Sequence, residues 1–144
     1  MRRVASLLKS RSVTVHGVPQ TASVADAVAS FIDNGVSALL VLDGEQLTGI
    51  FTKNDLVRCC AAHLDGVRDL RISEVMKADP HTTTPDEDLD DVMETMVKRG
   101  FRHVPVLEAG RAVGMVTVQD ILAHQKEILQ VEGEELTRYV QGSY

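Results

Sequence analysis

Apolar residues in this chain fall into short runs whose spacing changes from helical to strand-like and back, twice over. Val24, Ala27, Val28, Phe31 and Ile32 lie at i, i+3, i+4, i+7 and i+8, and Leu89, Val92, Met93, Met96 and Val97 repeat that spacing. Each set predicts an amphipathic helix with its stripe turned inward, ended by the left-handed residue that Gly35 or Gly100 supplies. The unbroken runs Ala38 to Leu42 and Val104 to Leu107 predict buried strands. Turns at Asp43-Gly44 and Ala109-Gly110 then lead to second strands over Leu47 to Phe51 and Ala112 to Val116. A second helix opens at Thr52 or Thr117 and continues through Leu56, Val57 and Cys60 or through Ile121, Leu122 and Gln125. Leading strands are expected at Val13 to Val15 and His81 to Thr83, with the register slipping by one because Pro19 to Val24 is longer than Pro85 to Leu89.

The two series are copies. Residues 24–57 laid over 89–122, a constant shift of 65, give seven identical pairs, among them Gly49/Gly114, Thr52/Thr117 and Asp55/Asp120. A further 12 pairs are apolar in both copies, so the hydrophobic pattern is kept more faithfully than the residues. The expected fold is α/β (α+β), with two β-α-β-β-α repeats. A unit this small leaves one sheet face bare, so the copies should pack on each other about a pseudo-twofold axis. The expected division is a first repeat over 1–65, a connection over 66–77 anchored by Val75-Met76, a second repeat over 78–125 and a helical tail over 126–144. The tail's stripe of Ile128, Leu129, Leu136, Tyr139 and Val140 is expected to break near Gly133.

Composition narrows the function. At 144 residues the chain is one compact unit or two packed halves, which disfavours a multidomain enzyme. A net charge of −6 with no long basic block argues against nucleic acid as partner, and so does an aromatic set limited to Phe31, Phe51, Phe101, Tyr139 and Tyr144. Adjacent Cys59 and Cys60 suit neither a structural bridge nor a CxxC site. The apolar run Val4 to Leu8 is shorter than a signal-peptide centre, and no run approaches a membrane span. A cytoplasmic protein in a reducing compartment is expected, with no membrane partner.

Chemistry concentrates at the junction of second strand and second helix. Gly49-Ile50-Phe51-Thr52-Lys53-Asn54-Asp55 and Gly114-Met115-Val116-Thr117-Val118-Gln119-Asp120 share one string, G-h-h-T-x-x-D with h apolar. As local physics, T-x-x-D before an apolar helix is a capping box. Lys98 and Arg99 close a helix and read as dipole complements on a solvated face. The acidic run Asp86-Glu87-Asp88-Asp90-Asp91 reads the same way at a helix start, and His16, His63, His81 and His124 have no metal-ligand spacing, so no metal is expected. No nucleophile elbow, phosphate loop or dinucleotide fingerprint occurs, so no catalytic residue is assigned.

The repeated string resembles the hallmark of CBS domains, the cystathionine-β-synthase type, which come as tandem pairs called Bateman modules. Ser73-Glu74-Val75-Met76 and Phe101-Arg102-His103-Val104-Pro105-Val106 are similar to further family motifs, and the resemblance runs from about Val4 to Ala123. It implies a non-catalytic sensor that binds AMP, ADP, ATP, NAD or S-adenosylmethionine in clefts between the copies, as a homodimer that reports to an effector protein. Asp55 with Thr52, and Asp120 with Thr117, are then the ribose-binding residues. Arg102, His103 and Lys53 are candidates for phosphate, and backbone near Thr14-Val15 and Thr82-Thr83 for adenine. The residues leave open which cleft Arg102 and His103 serve. Ser37-Ala38 replaces that basic pair in the first copy, so the two clefts should be unequal. The alternative is a ligand-free dimerisation module whose T-x-x-D strings only cap helices.

Overall fold

The computed structural model describes residues 2–10 and 15–142, with side chains as far as 130 and at 132–134. The stripe-bearing segments are helices α2 (Val24–Asn34) and α5 (Leu89–Arg99), numbered after the leading helix α1 (Val4–Ser10). Ser23 and Asp26 form a reciprocal capping box at the start of α2, and the Asp88 carboxylate accepts from Asp90 N at 2.8 Å at the start of α5. Gly35 and Gly100 end the two helices at φ 62° and 74°, in the left-handed region that a Cβ disfavours. Val24, Ala27 and Phe31 are buried, as are Leu89, Val92 and Met96. The stripe is narrower than its spacing predicts: Ile32 and Val97, the same edge position in both copies, are 75% and 71% exposed.

The strands follow the copied pattern. Strand β1 (Gly17–Pro19) runs parallel to β2 (Ala38–Asp43), which pairs antiparallel with β3 (Gln46–Thr52). In the second copy β5 (His103–Glu108) pairs antiparallel with β6 (Arg111–Thr117). Thr83 takes the place of β1 there through one parallel bridge to Val106. A register shift interrupts the hairpin after Val41 in one copy and after Val106 in the other, which are equivalent positions. Leu39, Val41 and Phe51 face one core with α2, while Leu40 and Ile50 are buried on the opposite face, where β3 approaches β6.

The leading strands correct the sequence reading. Val15 lies in no strand, and Val13 and Thr14 fall outside the described residues. The strand stands at Gly17–Pro19, where Val18 is buried between exposed neighbours. Val18 meets Val41 as Thr83 meets Val106, so the shift of 65 continues into the leading strand and no slip occurs.

Packing exchanges two helices between the copies. The connection holds a 3₁₀ turn (Val67–Asp69), α4 (Ile72–Val75) and β4 (Lys77–Ala78), which pairs antiparallel with β3. Ile72 enters the first copy's core, whereas Val4 and Leu7 of α1 enter the second's. Each such aliphatic side chain contributes about 1.5–3 kcal/mol on full burial. The docking bonds are duplicated as well. Val24 N donates to Leu70 O and Ile72 N to Ala22 O, matched by Leu89 N to Arg2 O and Val4 N to Glu87 O, all between 2.8 and 2.9 Å. This exchange also explains the glycine that opens each repeated string. A Cβ on Gly49 would collide with Met76 Sδ and come within 2.8 Å of Lys77 O, and one on Gly114 would come within 2.8 Å of Leu8 Cδ2.

Strand β6 leads into α6 (Val118–Gly142), preceded in order by α3 (Lys53–Ala62) after β3. Helix α6 passes through Gly133 without the predicted break, at a helical cost of about 1 kcal/mol relative to alanine. Leu129 is exposed on it, and the side chains of Leu136, Tyr139 and Val140 lie outside the described residues.

Candidate functional site

Thr52 and Asp55 occupy the step from β3 into α3, and both are buried. The Thr52 hydroxyl accepts from Asp55 N at 3.2 Å and donates to Asp55 Oδ2 at 2.9 Å, and Oδ2 also accepts from Thr52 N at 2.9 Å. One carboxylate oxygen thus closes a capping box. The other, Oδ1, stands 3.5 Å from Lys77 Nζ and 3.4 Å from the Arg58 guanidinium. In the second copy Asp120 Oδ2 accepts from Thr117 N at 3.2 Å and Asp120 N donates to Thr117 Oγ1 at 3.0 Å, in a half-buried setting.

A cleft of about 800 Å³ opens in front of Asp55. One wall comes from the first copy, with Ile50, Thr52, Asn54 and Arg58, and another is the loop Asp79-Pro80-His81-Thr82 that follows Lys77 and Ala78. The facing wall, Arg99 to His103, belongs to the second copy. Arg102 and His103 therefore share the cleft that carries Thr52. Four permanent cations line it, Arg58, Lys77, Arg99 and Arg102, against Asp79 in the lining and Asp55 behind it. In a chain of net charge −6 that is a local reversal of sign. His81 and Phe101 stack in the cleft with ring centroids 5.7 Å apart.

A smaller hollow of about 380 Å³ lies beside it, lined by Thr52 and His103 together with the equivalent pairs Ser37/Arg102, Lys53/Val118 and Asn54/Gln119. Pairs related by the shift of 65 meet there, so it follows the pseudo-twofold axis. His103 belongs to both spaces. Burial, and after it the charge of Lys77, holds its imidazole below the ordinary value of 6.5, with Arg102 acting the same way and Asp120 and Asp55 pulling upward.

Not every sequence candidate reaches the cleft. Lys53 lines only the axial hollow, Thr82 rather than Thr83 lines the cleft, and Val15 lines neither space. Thr83 is buried in the second sheet, donating from its N–H to Pro105 O and accepting at its carbonyl from Leu107 N. Lys98 pairs with Glu94 at 2.7 Å on a solvated face, as expected, but Arg99 turns into the cleft, against the sequence reading. Arg58, Lys77 and His81 line the cleft without belonging to any motif of the sequence. Arg58 carried a usable signal, since three residues after Asp55 on a helix it shares that face. Burial, then the adjacent Cys60, raises the Cys59 thiol above its ordinary value. Among the described residues no cluster of His, Cys, Asp and Glu could hold a metal, and no helix is long and apolar enough to cross a membrane.

Known proteins match both the sequence and the fold. Residues 9–62 and 72–127 each match the family model described as CBS domain. The protein MJ1225 of Methanocaldococcus jannaschii is 34% identical over 104 residues, 72% of this chain and 36% of that one. This chain spans between 36% and 65% of the length of three curated relatives that it matches. The crystal structure of the CBS-domain containing protein ATU1752 from Agrobacterium tumefaciens has a TM-score of 0.80 at 28% identity, covering 85% of this chain and 92% of that chain. The crystal structure of CBSX2 in complex with AMP has a TM-score of 0.75 at 20% identity, covering 89% of this chain and 99% of that chain, a likeness of fold.

Proposed function

This chain belongs to the CBS domain family, whose members are regulatory modules and generally non-catalytic, and on that premise we propose that its large cleft binds an adenosine nucleotide and reports the occupancy to an effector protein. The observation that carries this reading is the cation-rich cleft in front of a buried carboxylate. Phosphate would sit between Arg99 and Arg102, with His103 and Arg58 beside it, and the ribose diol would bond to Asp55 with Thr52 adjoining. Adenine would lie on the apolar lining of Ile50, Ala78 and Phe101. The AMP in the CBSX2 structure supports this ligand class. Because the ligand touches both copies, it favours one arrangement of them, which is how binding becomes a signal. Thr117 and Asp120 would serve a second, weaker site.

A homodimer belongs to the same proposal. Among the exposed apolar side chains, Ile32 with Val97 and Val57 with Leu122 are equivalent pairs, on α2, α5, α3 and α6. A second copy would cover both pairs with one self-complementary surface. We assign the protein to the cytoplasm on the same reading.

The ligand-free alternative rests on one observation, that Thr52 and Asp55 Oδ2 already satisfy a capping box. A thermal-shift panel of AMP, ADP, ATP, NAD and S-adenosylmethionine separates the two. A native-state ligand at 100 times its Kd adds about 2.7 kcal/mol, so a clear rise in melting temperature is expected. A flat panel would favour a structural module.

A further inference from the structure

We propose that Lys77 and Arg58 form a latch on Asp55 that lets the large cleft take a sugar diol only from a ligand that also carries phosphate. The inference rests on the reading of this cleft as a nucleotide site and concerns which adenosine compounds it admits. The Asp55 side chain is 5% exposed, and its two oxygens are divided in their tasks. Oδ2 is held by the N–H and hydroxyl of Thr52, which leaves Oδ1 for a ligand. Lys77 and Arg58 already face Oδ1, with side chains 58% and 70% exposed. The cations are thus hydrated and free to swing, while the anion is fixed and mostly out of water.

For a diol to bond to Oδ1, neutral hydroxyls must replace charged donors. A hydroxyl on the carboxylate makes a charge-assisted bond as the cations do, but it brings no positive charge, so a buried carboxylate stripped of its cations loses the compensation for its own desolvation. With a neutral ligand the exchange runs uphill. Phosphate reverses the balance, because Lys77 and Arg58 line the same cleft as Arg99 and Arg102. On leaving Oδ1 they meet phosphate oxygens, and the diol takes their place. Adenosine offers those cations no anionic group, and the one carboxylate of S-adenosylmethionine is outweighed by its ammonium and sulfonium charges, which share their sign. The second copy has Ala123 at the position equivalent to Arg58, so a guanidinium latch is not repeated there.

The test is calorimetric titration of ADP and of adenosine into the parent chain, Lys77→Met and Arg58→Met. The parent should bind ADP at least about tenfold more tightly than adenosine. In each variant ADP should weaken several-fold while adenosine tightens several-fold, so that the preference collapses. Adenosine binding that is unchanged or weaker in both variants overturns the latch and leaves the cations as plain phosphate contacts, with the nucleotide reading intact. A parent that binds neither compound overturns the nucleotide reading and the latch with it, so the parent alone tells the two failures apart. Arg58 lies on an exposed helix face, so its variant keeps the test decisive if Lys77→Met disturbs the short strand β4.

Discussion

The two copies carry one string and make different use of it. At the first, Thr52 lines a cleft with Arg58, Lys77, Arg99 and Arg102, and Asp55 lies behind it. At the second, the shift of 65 puts Ala123, Asn34 and Ser37 where Arg58, Arg99 and Arg102 stand. Lys9 stands 68 residues before Lys77, the offset that relates Leu8 to Met76 beside the two string glycines, but it sits on α1 instead of a strand. Both copies therefore keep the capping box and the hydrophobic pattern, while the cluster of cations lies on one side. The lesson is that the shared string builds the scaffold and its neighbours decide what the scaffold holds.

The sharpest way to break this comparison is to neutralise each carboxylate in turn. Hydrogen bonds to charged groups contribute about 1.5–3 kcal/mol, so Asp55→Asn should weaken ADP by roughly 10- to 100-fold. Asp120→Asn should leave the tighter site unchanged, and equal losses in calorimetry would contradict the asymmetry. A second comparison concerns the scaffold. Gly49→Ala meets Met76 and the Lys77 carbonyl, whereas Gly114→Ala meets only the end of the Leu8 side chain. Overpacking costs about 1–3 kcal/mol, so urea denaturation should show the larger loss for Gly49→Ala and less than about 1 kcal/mol for Gly114→Ala. Comparable losses would mean that β4 yields as readily as α1.

Smaller effects refine the picture. Arg102→Ala should weaken ADP by about tenfold and flatten its salt dependence, since one screened cation is removed. Ser37→Ala, at the equivalent position, should change neither quantity, and a salt dependence identical in both variants would place the phosphate elsewhere. The smallest effect is on pH. His103 is held below 6.5 in the fold, so between its folded value and 6.5 the unfolded chain binds a proton that the native chain does not. Stability present above 6.5 is therefore lost as pH falls through that window, and His103→Gln should flatten the fall. A parent whose urea midpoint does not decline on acidification, or declines as steeply in the variant, would remove His103 as the cause.

Local patterns made much of this visible from residues alone. Thr52 and Asp55 were legible because a capping box needs only three residues' spacing, and α2 and α5 because their stripes have helical period. The buried strands were legible as unbroken aliphatic runs. The leading strand was not, because Gly17-Val18-Pro19 reads as a breaker with one apolar residue, and its place depends on pairing with Val41. The exchanged helices were hidden for the same reason, since contacts such as Val4 with Glu87 join segments far apart in sequence. Arg99 looked like a dipole complement because its alternative partner, the cleft, exists only after the copies pack. Ile32 and Val97 counted as core because periodicity marks a face without saying how much of it is covered.

The most direct test is a crystal structure of the protein grown with saturating ADP. It should show the nucleotide in the cleft between Arg58 and Arg102, its ribose hydroxyls on Asp55 Oδ1 and its phosphates contacted by Arg99 and Arg102. An empty cleft with Lys77 still on Asp55, or ADP bound only beside Asp120, would contradict the account.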